Sequence, residues 1–207
     1  MLFISHSQLV FIVLFCLILL LINGYIMYFK TNNLDVEIRY ADSRDISTMQ
    51  KIESISYGNC GWSSNAFQNE LENEFGHYIV ACVNNNVVGY AGYWKVLDEG
   101  HITNLAVDPL YRRMHVADIL LYSLIQKAIT NDIKWLTLEV RTNNDAANHL
   151  YKKYKFKIIG IRKKYYEDNN DDALILWTND IQVKEYRTYI HEIFTNDVIL
   201  VHTDKCN

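Results

Sequence analysis

The stretch from Glu99 to Phe156 most constrains how this chain of 207 residues folds, because five elements follow one another there without a long linker. The spacing of its apolar residues predicts a strand, a basic turn, a long helix, a second strand and a short helix. These lie at Glu99–Asp108, Pro109–His115, Val116–Thr130, Lys134–Arg141 and Asn144–Tyr154. A strand leading into a helix that begins beside two arginines is a ready phosphate site, since N–H groups at a helix start are unpaired and the helix dipole is positive there.

The flanking segments predict further strands and helices around this stretch. A strand, two helices and a hairpin turning at three asparagines precede it, and two strands joined by an acidic turn follow it. They are Val36–Tyr40, Arg44–Ser56, a helix capped by Ser63 or Ser64 and ending near Phe75, His77–Val83, Val87–Val96, Phe156–Tyr166 and Ala173–Thr178. In the Glu99–Asp108 strand, alternation places the odd-numbered residues on one face and the even-numbered ones, including Ile102 and Asn104, on the other.

An apolar run near the start predicts a hydrophobic N-terminal helix that crosses a membrane. As a helix, Leu9–Phe29 would reach roughly 30 Å, which matches the core of a bilayer. Lysine and arginine follow this run and none precedes it, so the positive-inside rule places the rest of the chain on the cytoplasmic or stromal side. The alternative is that translation starts at Met27. The domains predicted are a hydrophobic segment (1–30), a catalytic domain (36–180) and a C-terminal extension (181–207).

Composition argues against several classes of function. The net charge of -4 does not suit a general nucleic-acid binder. The four cysteines form no C-x-x-C pair and have no histidine at ligand spacing, so neither a disulfide framework nor a metal site is predicted. The abundance of Asn, Ile, Lys and Tyr is typical of AT-rich organellar genomes and favours a plastid (chloroplast) location.

Five short motifs form a combination that is far more specific than any one of them. They are Ile102–Pro109, Tyr111–Arg113, Leu136–Asn144, Ala146–Tyr151, and Tyr165–Tyr166 followed by Asp172–Ile175. Over residues 36–180 this combination resembles the GNAT acetyltransferase superfamily, and within it the ribosomal-protein N-alpha-acetyltransferase (RimI) type, including plastid-encoded members. The resemblance implies an α/β (α+β) fold with a mixed, mostly antiparallel sheet flanked by helices.

The resemblance also implies acetyl-CoA as co-substrate and no metal. Leu105, Ala106 and Val107 match the strand whose backbone pairs with the pantetheine arm. The following turn and helix start match the diphosphate-binding motif, and a later asparagine matches a further coenzyme A contact. These residues are Arg112, Arg113, Met114, His115, Val116, Ala117, Asp118 and Asn144. His115 and Lys155 stand where the family usually has glycine. A lysine held in the left-handed conformation would cost on the order of 1 kcal/mol.

The resemblance assigns catalysis to one carboxylate and one phenol. An amine must lose a proton before it attacks a thioester, and Glu139 matches the family's base. Tyr151 matches the acid that protonates the departing thiolate, and a backbone N–H near residues 105–107 would hold the oxyanion. From the residues alone, Glu139 equally fits a salt bridge to Arg141 or another surface base, and Tyr151 fits an ordinary core tyrosine.

Three aromatic residues are predicted to line the acceptor pocket, namely Trp62, Tyr165 and Tyr166. Trp62 equally fits a loop anchor packed on the core. The predicted reaction is acetyl transfer to the N-terminal amine of a protein, such as a ribosomal protein. Two alternatives stay open at this point: acetylation of a lysine side chain or a small amine, and a catalytically silent acyl-CoA-binding module tethered to a membrane.

Overall fold

The computed structural model describes residues 26–31, 34–58, 61–196 and 198–201, except for the side chain of Leu200. In these residues nine strands form one sheet. The strands are β1 (Ile26–Lys30), β2 (Asp35–Tyr40), β3 (Gly76–Val83), β4 (Asn86–Val96), β5 (Glu99–Val107), β6 (Trp135–Arg141), β7 (Lys157–Tyr166), β8 (Asp171–Trp177) and β9 (Ile199–Val201). The helices are α1 (Ile46–Tyr57), α2 (Ser64–Glu72), α3 (Val116–Thr130), α4 (Asp145–Lys153) and α5 (Lys184–Thr195).

The sheet order is β7-β8-β6-β5-β4-β3-β2-β1-β9. Every neighbouring pair is antiparallel except β5 and β6, which run parallel. The prediction of a mixed, mostly antiparallel sheet is therefore confirmed.

The parallel pair in the middle of the sheet is short. Only Glu99–His101 of β5 pairs with Trp135–Thr137 of β6. Beyond these residues β5 continues to Val107 and β6 to Arg141 without pairing to each other. The two strands thus part and leave a gap whose edges are backbone groups (the β5–β6 gap). Such an edge needs polar partners from elsewhere, because backbone N–H and C=O groups are obligatory hydrogen-bonding groups.

Helices cover both faces of the sheet. The larger core lies under α3, whose helical stripe of Ile119, Leu120, Leu124 and Ala128 is fully buried. A smaller core on the opposite face joins α1 and α2 to β3, β4 and β5, with Met49 and Phe67 at its centre. Burying several such side chains at roughly 1.5–3 kcal/mol each makes these faces the main source of stability.

A bulge in β5 corrects the predicted strand faces. The register between β4 and β5 shifts between Gly92 and Tyr93, which leaves Thr103 without a paired residue. Ile102 therefore packs into the α3-side core together with Val107, whereas Ala106 lies in the core under α1. Strict alternation was wrong here, because one extra residue reverses every side chain beyond it.

The prediction of a hydrophobic helix continuing to Phe29 is wrong for residues 26–29, which belong to strand β1. β1 pairs with β2 and with β9, and the Phe29 side chain is buried against Tyr122 and Phe194. The remainder of the predicted membrane segment lies outside the described residues. Within the described ranges, no helix has both the length and the apolar character needed to cross a bilayer. Membrane anchoring and a plastid location stay predictions.

Residues after Asp180 pack onto the same core. Tyr186, Ile190 and Phe194 of α5 are buried in the α3-side core, and Phe194 stacks on Tyr122 with ring centroids 3.9 Å apart. Gln182 donates from Nε2 to the carbonyl oxygens of Ile129 and Ile133 at 3.0 and 2.8 Å. These contacts hold α5 and the segment before it against α3.

Candidate active site

The edge of β5 presents backbone groups to the β5–β6 gap. The Asp108 N–H donates to Val88 of β4 at 2.9 Å, so the Val107 carbonyl on the other side of that peptide points away from β4. The Val107 carbonyl accepts from Arg112 Nε at 3.3 Å, and the Leu105 carbonyl accepts from the Tyr57 hydroxyl at 3.1 Å. The carbonyl groups of Leu105 and Val107 therefore face the gap, and the pantetheine-binding assignment of this strand stays a prediction.

The turn into α3 leaves the start of that helix open. The first bond of the helix runs from the Ile119 N–H to the His115 carbonyl oxygen at 2.9 Å, and the His115 side chain makes no capping bond. The N–H groups of Val116, Ala117 and Asp118 precede that first bond and have no acceptor within the helix. Such a helix start attracts an anion through its amides and its dipole.

Two residues of this turn have an unusual backbone conformation. Arg113 and His115 both have φ of 63°, in the left-handed region where glycine is favoured. The family's glycine would fit such a position without strain. The sequence instead places side chains there, and each costs roughly 1–2 kcal/mol.

The charged side chains of the turn have different roles. The Arg112 side chain is held by α1, since its Nη2 donates to Ser56 Oγ at 3.3 Å. Arg113 is exposed. Asp118 forms an ion pair with Lys153 at 2.7 Å and lies 3.7 Å from His115 Nδ1. The Lys153 ion pair ties the start of α3 to the end of α4.

The predicted base lies in β6 with one oxygen in an ion pair. Glu139 is partly exposed and its Oε1 lies 3.2 Å from Arg162 Nη1 on β7. The partner is therefore another surface base, whereas Arg141 instead binds Asp168 and Asp171 at 2.8 and 3.1 Å. The ion pair that the residues alone allowed is present, and the catalytic assignment of Glu139 stays a prediction.

The predicted acid lies in the last turn of α4. Tyr151 is 7% exposed, and burial is the main cause that raises its pKa, followed by the charges of Tyr57 and Tyr166. Its hydroxyl has no hydrogen bond to any residue that the structure describes, so it is free to act on a bound molecule.

The end of α4 fixes the position of Tyr151. Phe156 N–H donates to the Tyr151 carbonyl at 3.0 Å and Lys155 N–H to the Lys152 carbonyl at 3.0 Å, which is a Schellman motif. The Tyr151 and Phe156 rings pack with centroids 5.5 Å apart. Lys155 has φ of 63°, so the predicted left-handed lysine is confirmed. At the other end of α4, Asn144 Oδ1 caps the helix by accepting from the Ala147 N–H at 3.1 Å.

The predicted acceptor residues lie on two different elements. Trp62 packs on Phe67 and Tyr78 with ring centroids 5.7 and 6.4 Å apart, as a loop anchor would, and remains partly exposed. Tyr166 lies under the Arg141 guanidinium at 3.8 Å, and burial raises its pKa to about 12. Tyr165 is 42% exposed and packs edge-on against Tyr166. The tyrosine pair therefore lies on β7, whereas Trp62 lies over the α1-side core.

Sequence reasoning missed two residues beside the gap, Glu53 and Tyr57. Both lie in α1, one helical turn apart, following Met49 on the same stripe. Glu53 is 2% exposed and Tyr57 reaches the Leu105 carbonyl. The available signal was a carboxylate on the apolar stripe of a predicted helix, a position that is costly unless the carboxylate has partners.

The parted strands and the open helix start that follows β5 are the arrangement of an acyl-CoA-dependent N-acetyltransferase. The model of the Acetyltransferase (GNAT) family matches residues 46–156, and the chain belongs to that family.

Known relatives agree with this assignment. A Bacillus subtilis protein named "Putative ribosomal protein bS18-alanine N-acetyltransferase" is 39% identical over 141 residues, which cover 68% of this chain and 93% of that protein. The crystal structure of the ribosomal-protein-S18-alanine N-acetyltransferase from Escherichia coli has a TM-score of 0.65 and 30% identity, covering 70% of this chain and 94% of that one. A GNAT family acetyltransferase from Elizabethkingia anophelis with acetyl-CoA bound shares the fold at a TM-score of 0.58 and 20% identity, covering 70% and 97%.

Proposed function

We propose that this enzyme transfers the acetyl group of acetyl-CoA to the N-terminal α-amine of a protein, with an alanine-initiated ribosomal protein as the acceptor. The Bacillus subtilis and Escherichia coli relatives, which carry bS18- or S18-alanine N-acetyltransferase names, support this acceptor class. The observation that carries the proposal is the β5–β6 gap, with the carbonyl groups of Leu105 and Val107 at one edge and the open start of α3 beside it.

The residues at the gap fit acetyl-CoA. Leu105, Ala106 and Val107 would hold the pantetheine arm by their backbone, and the amides of Val116–Asp118 would hold the diphosphate, with Arg113 exposed beside them. His115 adds a ring donor where the family has glycine. Asn144 caps α4, so its proposed coenzyme A contact would use the atoms that capping leaves free. When bound, acetyl-CoA supplies a thioester carbonyl that an amine attacks.

Two side chains of this chain would move the protons. Arg162 holds Oε1 of Glu139, which leaves Oε2 to take a proton from the acceptor amine, directly or through a water. The phenol of Tyr151 has an ordinary pKa near 10, and burial raises that pKa, so the phenol is protonated at neutral pH and has a proton to give. The Tyr165–Tyr166 pair on β7 and Trp62 on the α1–α2 loop would flank the acceptor's first residues.

Two matched peptides test the proposal. One begins with a free alanine amine and lacks lysine, and the other has the same sequence with an acetylated N-terminus and one internal lysine. With labelled acetyl-CoA, we expect transfer to the first peptide only. Transfer to the second peptide alone would show that the acceptor is a lysine side chain and not an N-terminal amine. Coenzyme A binding without transfer to either peptide or to a panel of small amines would favour a silent binding module.

A further inference from the structure

A buried carboxylate connects the loop after α1 to the strand beside the gap. Glu53 Oε1 accepts from the Trp62 N–H at 3.1 Å and from Asn104 Nδ2 of β5 at 3.3 Å. Its Oε2 accepts from the Tyr90 hydroxyl of β4. One 2% exposed side chain therefore holds an α1–α2 loop segment and two strands.

The loop packs directly on this side chain. We call Gly61–Ser63 the Trp62 segment. A Cβ placed on Gly61 would lie 2.8 Å from Glu53 Cγ, so the segment passes as close to Glu53 as a residue without a side chain permits. The Trp62 ring then packs over Phe67 and Tyr78. One turn further along α1, the Tyr57 hydroxyl binds Leu105 at the gap. The same stripe of α1 thus contacts both the Trp62 segment and the edge of β5.

We propose that Glu53 is a positioning residue that holds the Trp62 segment against β5 and so shapes the acceptor side of the active site. The inference rests on the proposed function, because it assigns Trp62 to the acceptor pocket. Its partners explain why a carboxylate is present there. A backbone N–H, an amide N–H and a phenol converge on it, and an apolar side chain would take this acceptor away from the Trp62 N–H and the Tyr90 hydroxyl. Burial raises the pKa of Glu53, while the bonds from Tyr90, Trp62 and Asn104 oppose that rise.

A pair of variants of similar size separates hydrogen bonding from packing. Glu53→Met keeps the volume and removes the acceptor, whereas Glu53→Gln keeps one oxygen for the Trp62 N–H. We expect Glu53→Met to raise KM for the alanine-initiated peptide about tenfold, with Kd for coenzyme A changed less than about twofold. Glu53→Gln should restore KM to within about threefold of the wild type. Glu192→Met, on the exposed face of α5, is the control and should change neither value.

Tryptophan fluorescence reports on the Trp62 segment without any turnover. The fluorescence of Trp62 is obtained by subtracting the fluorescence of the same protein carrying Trp62→Phe from that of each protein. We expect acrylamide to quench this fluorescence more strongly in Glu53→Met than in the wild type, and equally in Glu53→Gln and the wild type. This readout keeps the two proposals separate. If no peptide is acetylated, the proposed function fails, and the quenching comparison still tests Glu53.

A second variant tests the same contact from the loop. Gly61→Ala leaves Glu53 intact and pushes the segment away from it, so it should reproduce both the higher KM and the stronger quenching even if Glu53→Met does not fold. Unchanged KM and quenching in Gly61→Ala, or in a folded Glu53→Met, would overturn the inference. A loss of coenzyme A affinity in proportion to the rise in KM would also overturn it, because Glu53 would then support the whole domain rather than the acceptor side.

Discussion

The hydroxyl of Tyr186 donates a 3.0 Å hydrogen bond to the backbone carbonyl of Tyr154, the residue at which the helix carrying Tyr151 ends. Tyr189 donates to the Lys153 carbonyl at 3.1 Å, and its ring lies 4.3 Å from the Lys155 ammonium. The last carbonyls of a helix have no partner within the helix. At the end of α4 the Schellman bonds satisfy the carbonyls of Tyr151 and Lys152, and α5 satisfies those of Lys153 and Tyr154. α5 lies outside the residues matched by the family model.

Removing these hydroxyls should destabilise the protein to different extents. Tyr186→Phe leaves a buried carbonyl without its partner, so we expect the free energy of unfolding to fall by about 1–3 kcal/mol. Tyr189→Phe affects a partly buried bond and should cost about 0.5–1.5 kcal/mol. Urea unfolding followed by circular dichroism measures both. Equal stability of Tyr186→Phe and the wild type would show that the bond contributes nothing to α4.

Tyr151→Phe should separate catalysis from folding. The Tyr151 hydroxyl has no bond to the residues that the structure describes, so its removal should change the free energy of unfolding by less than about 1 kcal/mol. The proposed proton donor would be lost, and kcat should fall about 100-fold or more, with Kd for coenzyme A unchanged. Steady-state kinetics and calorimetry measure these values. A kcat within twofold of the wild type would remove Tyr151 from the mechanism.

The protein should be more stable with glycine in place of His115. His115→Gly relieves a left-handed conformation, and we expect a gain of about 0.5–1 kcal/mol after the entropy cost of glycine. His115→Ala removes the ring but keeps a Cβ at the same φ, so it should give no such gain. Thermal unfolding distinguishes the two variants. Equal gains would mean that the ring, rather than the backbone, is the source of strain.

Ionisation of Glu53 should make stability depend on pH. Because burial raises the pKa in the folded protein above 4.5, the folded state binds the proton more tightly than the unfolded chain does. Stability should therefore fall as pH rises from about 4.5 through the folded pKa. The side chain in Glu53→Gln cannot ionise. As the pH rises through this range, the free energy of unfolding of the wild type should therefore fall relative to that of Glu53→Gln. A difference that is constant from pH 4 to 8 would show that the pKa of Glu53 is the same in both states.

Much of the central stretch could be predicted because its determinants are local. α3 begins and ends at the predicted residues, Val116 and Thr130, since an apolar stripe and a basic turn mark its limits. The combination of motifs likewise identified the family, because short motifs can be recognised in a sequence without any knowledge of contacts. The left-handed conformation of Lys155 was predicted because this residue stands at a helix end where the family usually has glycine.

The rest depends on contacts between distant residues. The bulge at Thr103 arises from the register of β5 on β4, which no local pattern records. Arg162 reaches Glu139 because β8 brings β7 close to β6. Glu53 and Tyr57 were missed because their partners Asn104 and Leu105 lie about fifty positions away. Hydropathy alone assigned residues 26–29 to a helix, although their backbone pairs with β2 and β9.

The pairing of β1 with β9 also affects how the chain can fold during synthesis. β1 is the first described strand to leave the ribosome and β9 is the last, so the outer edge of β1 stays unpaired until nearly all of the described chain has been made. An exposed strand edge next to an apolar side chain such as Phe29 favours association between nascent chains. Rapid release of the finished polypeptide, or a chaperone that covers this edge, would then decide the yield of active enzyme.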